Sequence, residues 1–220
     1  MSTTRPGRGF FVTLEGGEGA GKSTQLRLLA ERLRSAGRTV VETAEPGGTP
    51  IGAQIRRVLL DAANHEISAT AELLLVFAAR AQNVEQVIQP ALDAGSIVLC
   101  DRFTDSTLAY QGVARGLGAD VVMRIDPIAC HGLVPDLTIY LDIEPEAGLE
   151  RARSRNMRAS ENRETRLDDQ SLAFHQKVRA AFLDLARKEP HRIRVVPAEG
   201  DVQTVSTRIW TVLSPSLAAA

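Results

Sequence analysis

A glycine-rich segment between an apolar run and an amphipathic run constrains the fold of this chain more than any other feature. The apolar run at residues 10–14 predicts a strand, and apolar residues at helical spacing between positions 26 and 33 predict a helix. Residues 16–23, between them, read GGEGAGKS and match the pattern G-x4-G-K-[ST]. Because the match lies between a predicted strand and a predicted helix, it indicates a phosphate-binding loop and not a chance turn.

The residue types of this loop explain its chemistry. Glycines allow successive backbone N–H groups to point inward, and the start of the following helix carries a partial positive charge that favours phosphate. Lys22 can then reach the β- and γ-phosphate oxygens of a nucleoside triphosphate, and the Ser23 hydroxyl can bind Mg²⁺. The loop therefore predicts nucleoside triphosphate binding, with a switch, a motor and a kinase as alternatives.

Glu18 is an unusual residue to find inside such a loop. A carboxylate among amides that bind phosphate repels bound anions unless it faces Mg²⁺ or a basic partner. The alternative is a side chain that faces solvent.

Further strands and helices alternate along the chain, and Gly37 ends the first helix. Strands are predicted at residues 39–43, 96–100, 137–141 and 192–196, and helices at residues 51–63, 68–93 and 201–213. Such alternation requires right-handed crossovers and gives a parallel sheet with helices on both faces. The fold class is therefore α/β.

Composition excludes several other classes of protein. The chain has 220 residues, 24% of them charged, and a net charge of −1, as expected for one soluble domain with a substantial core. Its longest apolar stretch, residues 73–79, is far shorter than the roughly 20 residues that cross a bilayer. The N-terminus lacks the features of a signal peptide, so we expect a cytoplasmic protein. Cys100 and Cys130 have neither a disulfide framework nor the spacing of a zinc site.

Acidic residues follow two of the predicted strands. Asp101 follows the strand at 96–100, and an acid in this position can hold a water molecule on Mg²⁺. Arg102 comes next, at the carboxyl end of a parallel strand, where ligands bind in open α/β sheets. Asp142, after the strand at 137–141, is a competing candidate. We favour Asp101 as a metal ligand beside Ser23 because of the residues that follow it.

Those residues complete an ordered set of motifs. The loop is followed by EPGGT at 45–49, FAAR at 77–80, DRFTDSTLAYQG at 101–112 and PDLTIYLD at 135–142. In this order the motifs closely resemble those of bacterial thymidylate kinases, and the resemblance extends over about residues 10–213. It implies the three-layer P-loop NTP hydrolase-like fold of nucleoside monophosphate kinases, a five-stranded parallel sheet flanked by helices, with a short Arg-rich lid. It also implies transfer of the γ-phosphoryl group of MgATP to dTMP, which gives dTDP and ADP in dTTP biosynthesis.

The resemblance assigns roles to individual residues. Arg102 would contact the acceptor phosphate, Arg80 the thymine, and Tyr110 would lie near the deoxyribose. The positions that it implies for ATP are Gly16, Gly17, Glu18, Gly19, Ala20, Gly21, Lys22, Ser23 and Thr24. The positions that it implies for dTMP are Glu18, Phe77, Arg80, Arg102, Ser106, Thr107, Tyr110 and Gln111.

A basic segment completes the implied site. Residues 151–166 contain six arginines and two glutamates, which on charge alone also fits a solvated helix face and a loop. In one class of the family, the phosphate-binding loop has an acid at the position of Glu18, and the lid supplies the catalytic arginines. This chain resembles that class. The catalytic residues implied for this chain are Lys22, Arg102, Glu18, Arg151, Arg153 and Arg155. An arginine on a transferring phosphoryl group contributes roughly 10³ to 10⁵ in rate.

The chain departs from the family pattern at three places. Residues 165–168 read TRLD in place of the usual D-R-x-E, and the stretch between them and the arginines is longer than expected. Ala44 replaces an arginine before the EPGGT motif. Val76 occupies the position of an expected aromatic residue, and we predict that its neighbour Phe77 stacks on the base.

We expect one nucleotide kinase domain at residues 10–213, with the lid at about 151–167, between flexible tails at 1–9 and 214–220. The predicted ligands are ATP and dTMP, with Mg²⁺ as cofactor. We expect neither nucleic acid nor membrane as a partner. A homodimer is expected, formed through helices at 68–93 and 104–130.

Two further functions are alternatives. One is another kinase of the same fold, acting on dUMP or on a deoxynucleoside. A nucleoside kinase needs a carboxylate base for the 5′-hydroxyl, and Glu42 and Glu45 are candidates. The other is a nucleotide-dependent switch, but the D-x-x-G and N-K-x-D motifs of GTPase switches are absent from the sequence.

Overall fold

A parallel β-sheet forms the centre of the computed structural model, which describes residues 8–158 and 164–218. In these residues the sheet has five strands in the order β2-β3-β1-β4-β5, all of them parallel. The strands are β1 (Phe10–Gly16), β2 (Val40–Ala44), β3 (Ile97–Asp101), β4 (Leu137–Asp142) and β5 (Ile193–Pro197). The predicted fold class, α/β with a five-stranded parallel sheet, is confirmed.

Alternating side chains of the central strand β1 build the core on both faces of the sheet. Val12 and Leu14 pack on one face with α1 and α9, whereas Phe11 packs on the other with α3 and α6. Val12 is in register with Leu99 of β3 and Leu137 of β4. A strand that is buried on both faces is expected to read as a continuous apolar run, which is the pattern at residues 10–14.

Nine α-helices in the described residues surround the sheet. They are α1 (Lys22–Ser35), α2 (Pro50–Leu60), α3 (Ala69–Asn83), α4 (Gln89–Asp93), α5 (Thr104–Thr107), α6 (Ala119–Cys130), α7 (Pro145–Arg158), α8 (Leu172–Lys188) and α9 (Val202–Ala218). A short 3₁₀ turn at Ala62–Asn64 follows α2. A π-helical segment at Val84–Ile88 joins α3 to α4, and another at Leu108–Ala114 continues α5.

The strands begin and end within two residues of their predicted positions, but some helices differ from the prediction. The apolar stretch 104–130 is interrupted after residue 114, because Gly116 and Gly118 have φ angles of 78° and 90° that end the helix. Helix α8 was not predicted. In the described part of the chain, none of the helices has both the length and the apolar character needed to cross a membrane.

The predicted tails are shorter in the structure. Gly9 donates its N–H to Leu92 O at 2.7 Å, and Arg8 lies 3.5 Å from Asp136, so both contact the domain. Helix α9 extends to Ala218 and not to residue 213, because Leu217 packs against the core. The remainder of the predicted tails, residues 1–7 and 219–220, lies outside the described residues, as do residues 159–163 of the predicted lid.

Candidate active site

A cavity of about 630 Å³ lies at the carboxyl ends of β1, β2 and β3. Its walls come from the phosphate-binding loop, from residues 44–48 at the end of β2, from the segment 101–111 at the end of β3, from Arg155, and from residues of the segment 164–168. This is where ligands are expected in an open parallel sheet. The cavity is therefore the candidate active site.

The phosphate-binding loop touches helix α7 directly. Gly19 has a φ angle of 66°, and a Cβ atom on it would lie 2.0 Å from the carbonyl oxygen of Gly148 in α7. A Cβ atom on Gly148 would in turn lie 2.4 Å from the carbonyl oxygen of Glu18. Glycine is thus required on both sides of this backbone contact.

Lys22 is buried within the loop. Its Nζ donates to the carbonyl oxygens of Gly16 at 3.1 Å and Gly17 at 2.9 Å. Burial lowers the pKa of Lys22, and the nearby Arg102 lowers it further. A buried ammonium beside backbone N–H groups is suited to bind phosphate oxygens.

Ser23 and Asp101 meet at the junction of the loop and β3. The Ser23 hydroxyl donates to Asp101 Oδ2 at 2.7 Å. Oxygen ligands suit Mg²⁺, which proteins usually bind through one or two carboxylates together with substrate phosphates and water. Residues 8–158 and 164–218 contain no group of three or more His, Cys, Asp or Glu side chains that could bind a metal by themselves. The competing candidate Asp142 is occupied elsewhere, since it accepts from Arg179 Nε at 2.8 Å.

Arg102 and Glu18 form an ion pair at the centre of the cavity. Arg102 donates to Glu18 Oε1 at 2.9 Å and to Gly16 O at 2.9 Å, and the Tyr110 hydroxyl donates to the same Glu18 oxygen at 2.8 Å. Burial alone would raise the pKa of Glu18, but Arg102 and Lys22 lower it to about 2. The carboxylate in the loop is therefore ionised and faces a basic partner, as one of the two sequence-based alternatives requires.

Glu15, just before the loop, holds the backbone around Arg102. Arg102 has a φ angle of 72°, which is uncommon for a residue with a side chain. Phe103 N–H donates to Glu15 Oε1 at 2.7 Å, and the Ser106 hydroxyl donates to Glu15 Oε2. Burial raises the pKa of Glu15 to about 8, and Asp105 contributes to the increase. No sequence signal identified Glu15, because its partners follow a different strand.

A second buried ion pair supports the far wall of the cavity. Arg80 Nε donates to Glu45 Oε2 at 2.6 Å, and the two side chains are 1% and 2% exposed. Arg80 also donates to Thr107 Oγ1 at 2.9 Å, and Asn83 donates to Glu45 Oε1 at 3.1 Å. Both carboxylate oxygens of Glu45 therefore accept hydrogen bonds, one from Arg80 and one from Asn83. The other candidate base, Glu42, pairs with Arg34 away from the cavity.

Comparisons with known proteins agree with this geometry. The family model described as "Thymidylate kinase" matches residues 14–209. The chain belongs to the thymidylate kinase family. It is 53% identical to the thymidylate kinase of Syntrophotalea carbinolica, over 94% of this chain and 96% of that protein. It is 50% identical to the thymidylate kinase of Geobacter sulfurreducens, over 93% of this chain and 96% of that protein. The crystal structure of thymidylate kinase from Ehrlichia chaffeensis is similar, with a TM-score of 0.74 and 31% identity over 94% of this chain and 99% of that chain.

Phe77, which was predicted to stack on the base of the nucleotide, does not line the cavity. Phe77 is 3% exposed and packs in the core beneath α3, with its ring 5.1 Å from the Arg80 guanidinium. Val76 lines the cavity instead. Because an α-helix has 3.6 residues per turn, adjacent residues face different directions, and sequence alone did not separate the two.

The three arginines of the predicted thymidylate kinase lid do not converge on the cavity. Arg155 lines it, with a guanidinium nitrogen 3.6 Å from Asp168 Oδ2. Arg151 donates to Ala198 O at 3.2 Å, and Arg153 is exposed. Arg153 is two residues from each of the others, so it lies on nearly the opposite side of α7. Arg151 and Arg155 are four residues apart and share a face, but Arg151 lies one turn nearer the start of the helix, where it binds Ala198 O.

Arg166, in the TRLD departure from the family pattern, is buried, and one of its guanidinium nitrogens lies 2.7 Å from Glu72 Oε2. Its backbone N–H donates to Leu60 O at 3.1 Å. Arg166 therefore anchors the C-terminal end of the predicted lid to helices α2 and α3. The sequence analysis did not identify Glu72.

Most of the predicted site residues line one cavity in this member of the thymidylate kinase family. Those that line it are Glu18, Gly19, Gly21, Lys22, Ser23, Thr24, Arg80, Asp101, Arg102, Ser106, Thr107, Tyr110, Gln111 and Arg155. Those outside the lining are Gly16, Gly17, Ala20, Phe77, Arg151 and Arg153.

Proposed function

We propose that this chain transfers the γ-phosphoryl group of ATP to dTMP, giving ADP and dTDP. The family match and the relatives named thymidylate kinase support this reaction. The observation that carries the proposal is that the phosphate-binding loop and the Arg102–Glu18–Tyr110 cluster line the same cavity. A donor phosphate bound by the loop and an acceptor phosphate at Arg102 would lie side by side.

The donor side consists of the loop amides, Lys22, Ser23 and Asp101. Lys22 would leave the carbonyl oxygens of the loop to bind the β- and γ-phosphate oxygens. Ser23 and Asp101 would supply oxygen ligands for Mg²⁺, together with the phosphates. Mg²⁺ bound there would neutralise charge on the β- and γ-phosphates.

The acceptor side is organised by Arg102. Its pKa is raised because Tyr110 and Glu18 outweigh the effect of burial, so it carries a charge at any physiological pH. The acceptor oxygen of dTMP forms a bond to the γ-phosphorus while the bond between that phosphorus and the β–γ bridging oxygen breaks. The acceptor oxygen is already anionic at neutral pH, so alignment and charge neutralisation are sufficient and no base has to remove a proton.

Arg155 of helix α7 lines the cavity and would contact the transferring phosphoryl group. The roles proposed for Arg151 and Arg153 stay predictions. On the other side of the cavity, Arg80, Thr107 and Gln111 would contact the base, and Tyr110 would lie near the deoxyribose.

An acceptor panel tests the reaction. ADP formation from MgATP would be measured with dTMP, dUMP, dGMP, dCMP, AMP, thymidine and water. We expect strong preference for dTMP. Turnover only with thymidine would assign a nucleoside kinase, and hydrolysis independent of any acceptor would leave only the assignment of the phosphate-binding loop.

We also propose that the chain is a homodimer. Large apolar side chains are exposed on α3 and α6, which pack side by side, among them Leu74, Met123 and Ile128. Sedimentation at several concentrations tests this, and a monomer at all of them would contradict it. A cytoplasmic location stays a prediction.

A further inference from the structure

Glu72 of helix α3 is a buried carboxylate that phosphoryl transfer does not use. Its side chain is 2% exposed. Oε1 accepts from Gln111 Nε2 at 2.8 Å and from Arg115 Nε at 3.1 Å. Oε2 accepts from Arg115 at 3.1 Å and lies 2.7 Å from a guanidinium nitrogen of Arg166. Both carboxylate oxygens are thus held by cationic or amide donors.

These partners keep Glu72 ionised. Burial would raise its pKa, but the hydrogen bonds from Arg115 and Gln111 lower it below the usual value. An ionised carboxylate can only accept hydrogen bonds. The group that faces it from Gln111 must therefore be a donor.

This requirement fixes the orientation of the Gln111 side-chain amide. The NH₂ end binds Glu72, and a rotation by half a turn would bring the amide oxygen against the carboxylate. Gln111 lines the cavity, and no residue within 8–158 or 164–218 donates a hydrogen bond to its Oε1. The carbonyl end is thus the end that Gln111 offers to a ligand.

A fixed carbonyl oxygen discriminates between pyrimidine bases. Thymine and uracil carry a hydrogen on N3 and can donate to it, whereas N3 of cytosine is an acceptor. An acceptor facing another acceptor in a buried site leaves both without a partner, which costs more than a missing contact.

We propose that Glu72 is a positioning residue that fixes the Gln111 amide and so makes the cavity select bases with a ring N3–H over cytosine. This inference rests on the proposed function. The selectivity comes from a residue that the base itself need not touch.

The test replaces Glu72 by glutamine, which has the same shape but can face Gln111 with either end of its amide. The ratio of kcat/KM for dTMP to that for dCMP is expected to fall by about ten- to a hundredfold, the range for a hydrogen bond to a charged group. The ratio for dTMP to dUMP should not change, because both bases carry the N3–H. The KM for ATP should also stay the same.

Glu85→Gln is the matched control. Glu85 is 59% exposed, and its partner is the exposed His131. This variant should leave both ratios at their wild-type values. A folded Glu72→Gln variant with an unchanged dTMP to dCMP ratio would overturn the proposal, and so would an equal fall in the dTMP to dUMP ratio.

If Glu72→Gln does not fold, Arg115→Lys carries the test. A lysine keeps the charge but cannot hold both carboxylate oxygens, so a smaller fall in the dTMP to dCMP ratio is expected. An unchanged ratio would again overturn the proposal. If the wild type does not phosphorylate dTMP, the proposed function fails, and calorimetric binding of dTMP, dUMP and dCMP to the same variants still tests the role of Glu72.

Discussion

Replacing Asp105 by asparagine is expected to destabilise this protein strongly, although Asp105 is outside the cavity lining. Asp105 lies in the short helix α5, and its side chain is 4% exposed. It accepts two parallel hydrogen bonds from Arg192, at 2.7 Å and 2.8 Å, next to the start of β5. The pair ties the segment after β3 to the edge of the sheet.

The magnitude follows from burial. Removing one partner of a buried ion pair costs about 3–5 kcal/mol, because the other charge stays buried without compensation. Arg192 retains Glu189 as a second partner, so we expect the lower value, about 3 kcal/mol. For a chain of this length, 1 kcal/mol changes the unfolding temperature by about 2–4 °C, which predicts a decrease of roughly 6–12 °C.

Thermal and urea unfolding followed by circular dichroism would measure the change. Asp184→Asn is the control, because Asp184 pairs with Arg187 at 3.3 Å but is 44% exposed, and exposed pairs contribute little. Equal stability changes in the two variants would refute the argument from burial. A decrease of less than about 1 kcal/mol for Asp105→Asn would refute it as well.

Three further predictions concern the site. Arg102→Ala should lower kcat for transfer to dTMP by about 10² to 10³, which is the effect of losing one preorganised hydrogen-bond donor. Calorimetry should still detect MgATP binding. An equal loss of phosphoryl transfer and of MgATP binding would contradict the acceptor role of Arg102. Glu15→Gln should remove a pH dependence of the free energy of unfolding. In the folded protein the pKa of Glu15 is about 8, whereas in the unfolded chain it is near 4.5. The folded wild type is therefore stabilised by the bound proton at low pH and loses that stabilisation as the pH rises from 4.5 to 8. Urea unfolding from about pH 5 to pH 8 would measure it, and parallel profiles for the two proteins would disagree with the assignment. Gly19→Ala should destabilise the protein far more than Gly17→Ala, because a Cβ atom at Gly19 would overlap Gly148 O and one at Gly17 meets nothing within 4 Å; similar unfolding temperatures would exclude the close approach.

The sequence alone was sufficient to predict the features that depend on residues close together along the chain. The phosphate-binding loop and the strand before it are local, and their chemistry follows from the order GGEGAGKS. Asp101 could be preferred over Asp142 for the same reason, since the residues after it form a motif. The apolar runs of the strands marked the sheet, because a parallel sheet is buried on both faces.

Features that depend on tertiary packing could not be predicted in this way. Glu72 meets Arg166, and Glu15 meets Ser106, only because separate elements are folded together. Val76 and Phe77 differ by one residue, and the orientation of α3 decides which of them lines the cavity. The arginine run of α7 matched the family motif, but only Arg155 of the three lines the cavity. Arg153 lies on the opposite side of the helix, and Arg151 binds Ala198 O.

The contact between Gly19 and Gly148 joins two parts of the site mechanically. No side chain lies between the two backbones, so nothing compliant can absorb a displacement of the phosphate-binding loop. Arg155 lies about 10 Å further along α7, at 1.5 Å per residue. If α7 tilts about this contact, an atom of the helix moves in proportion to its distance from the contact. A tilt that hardly displaces the loop therefore displaces the Arg155 guanidinium by a larger distance.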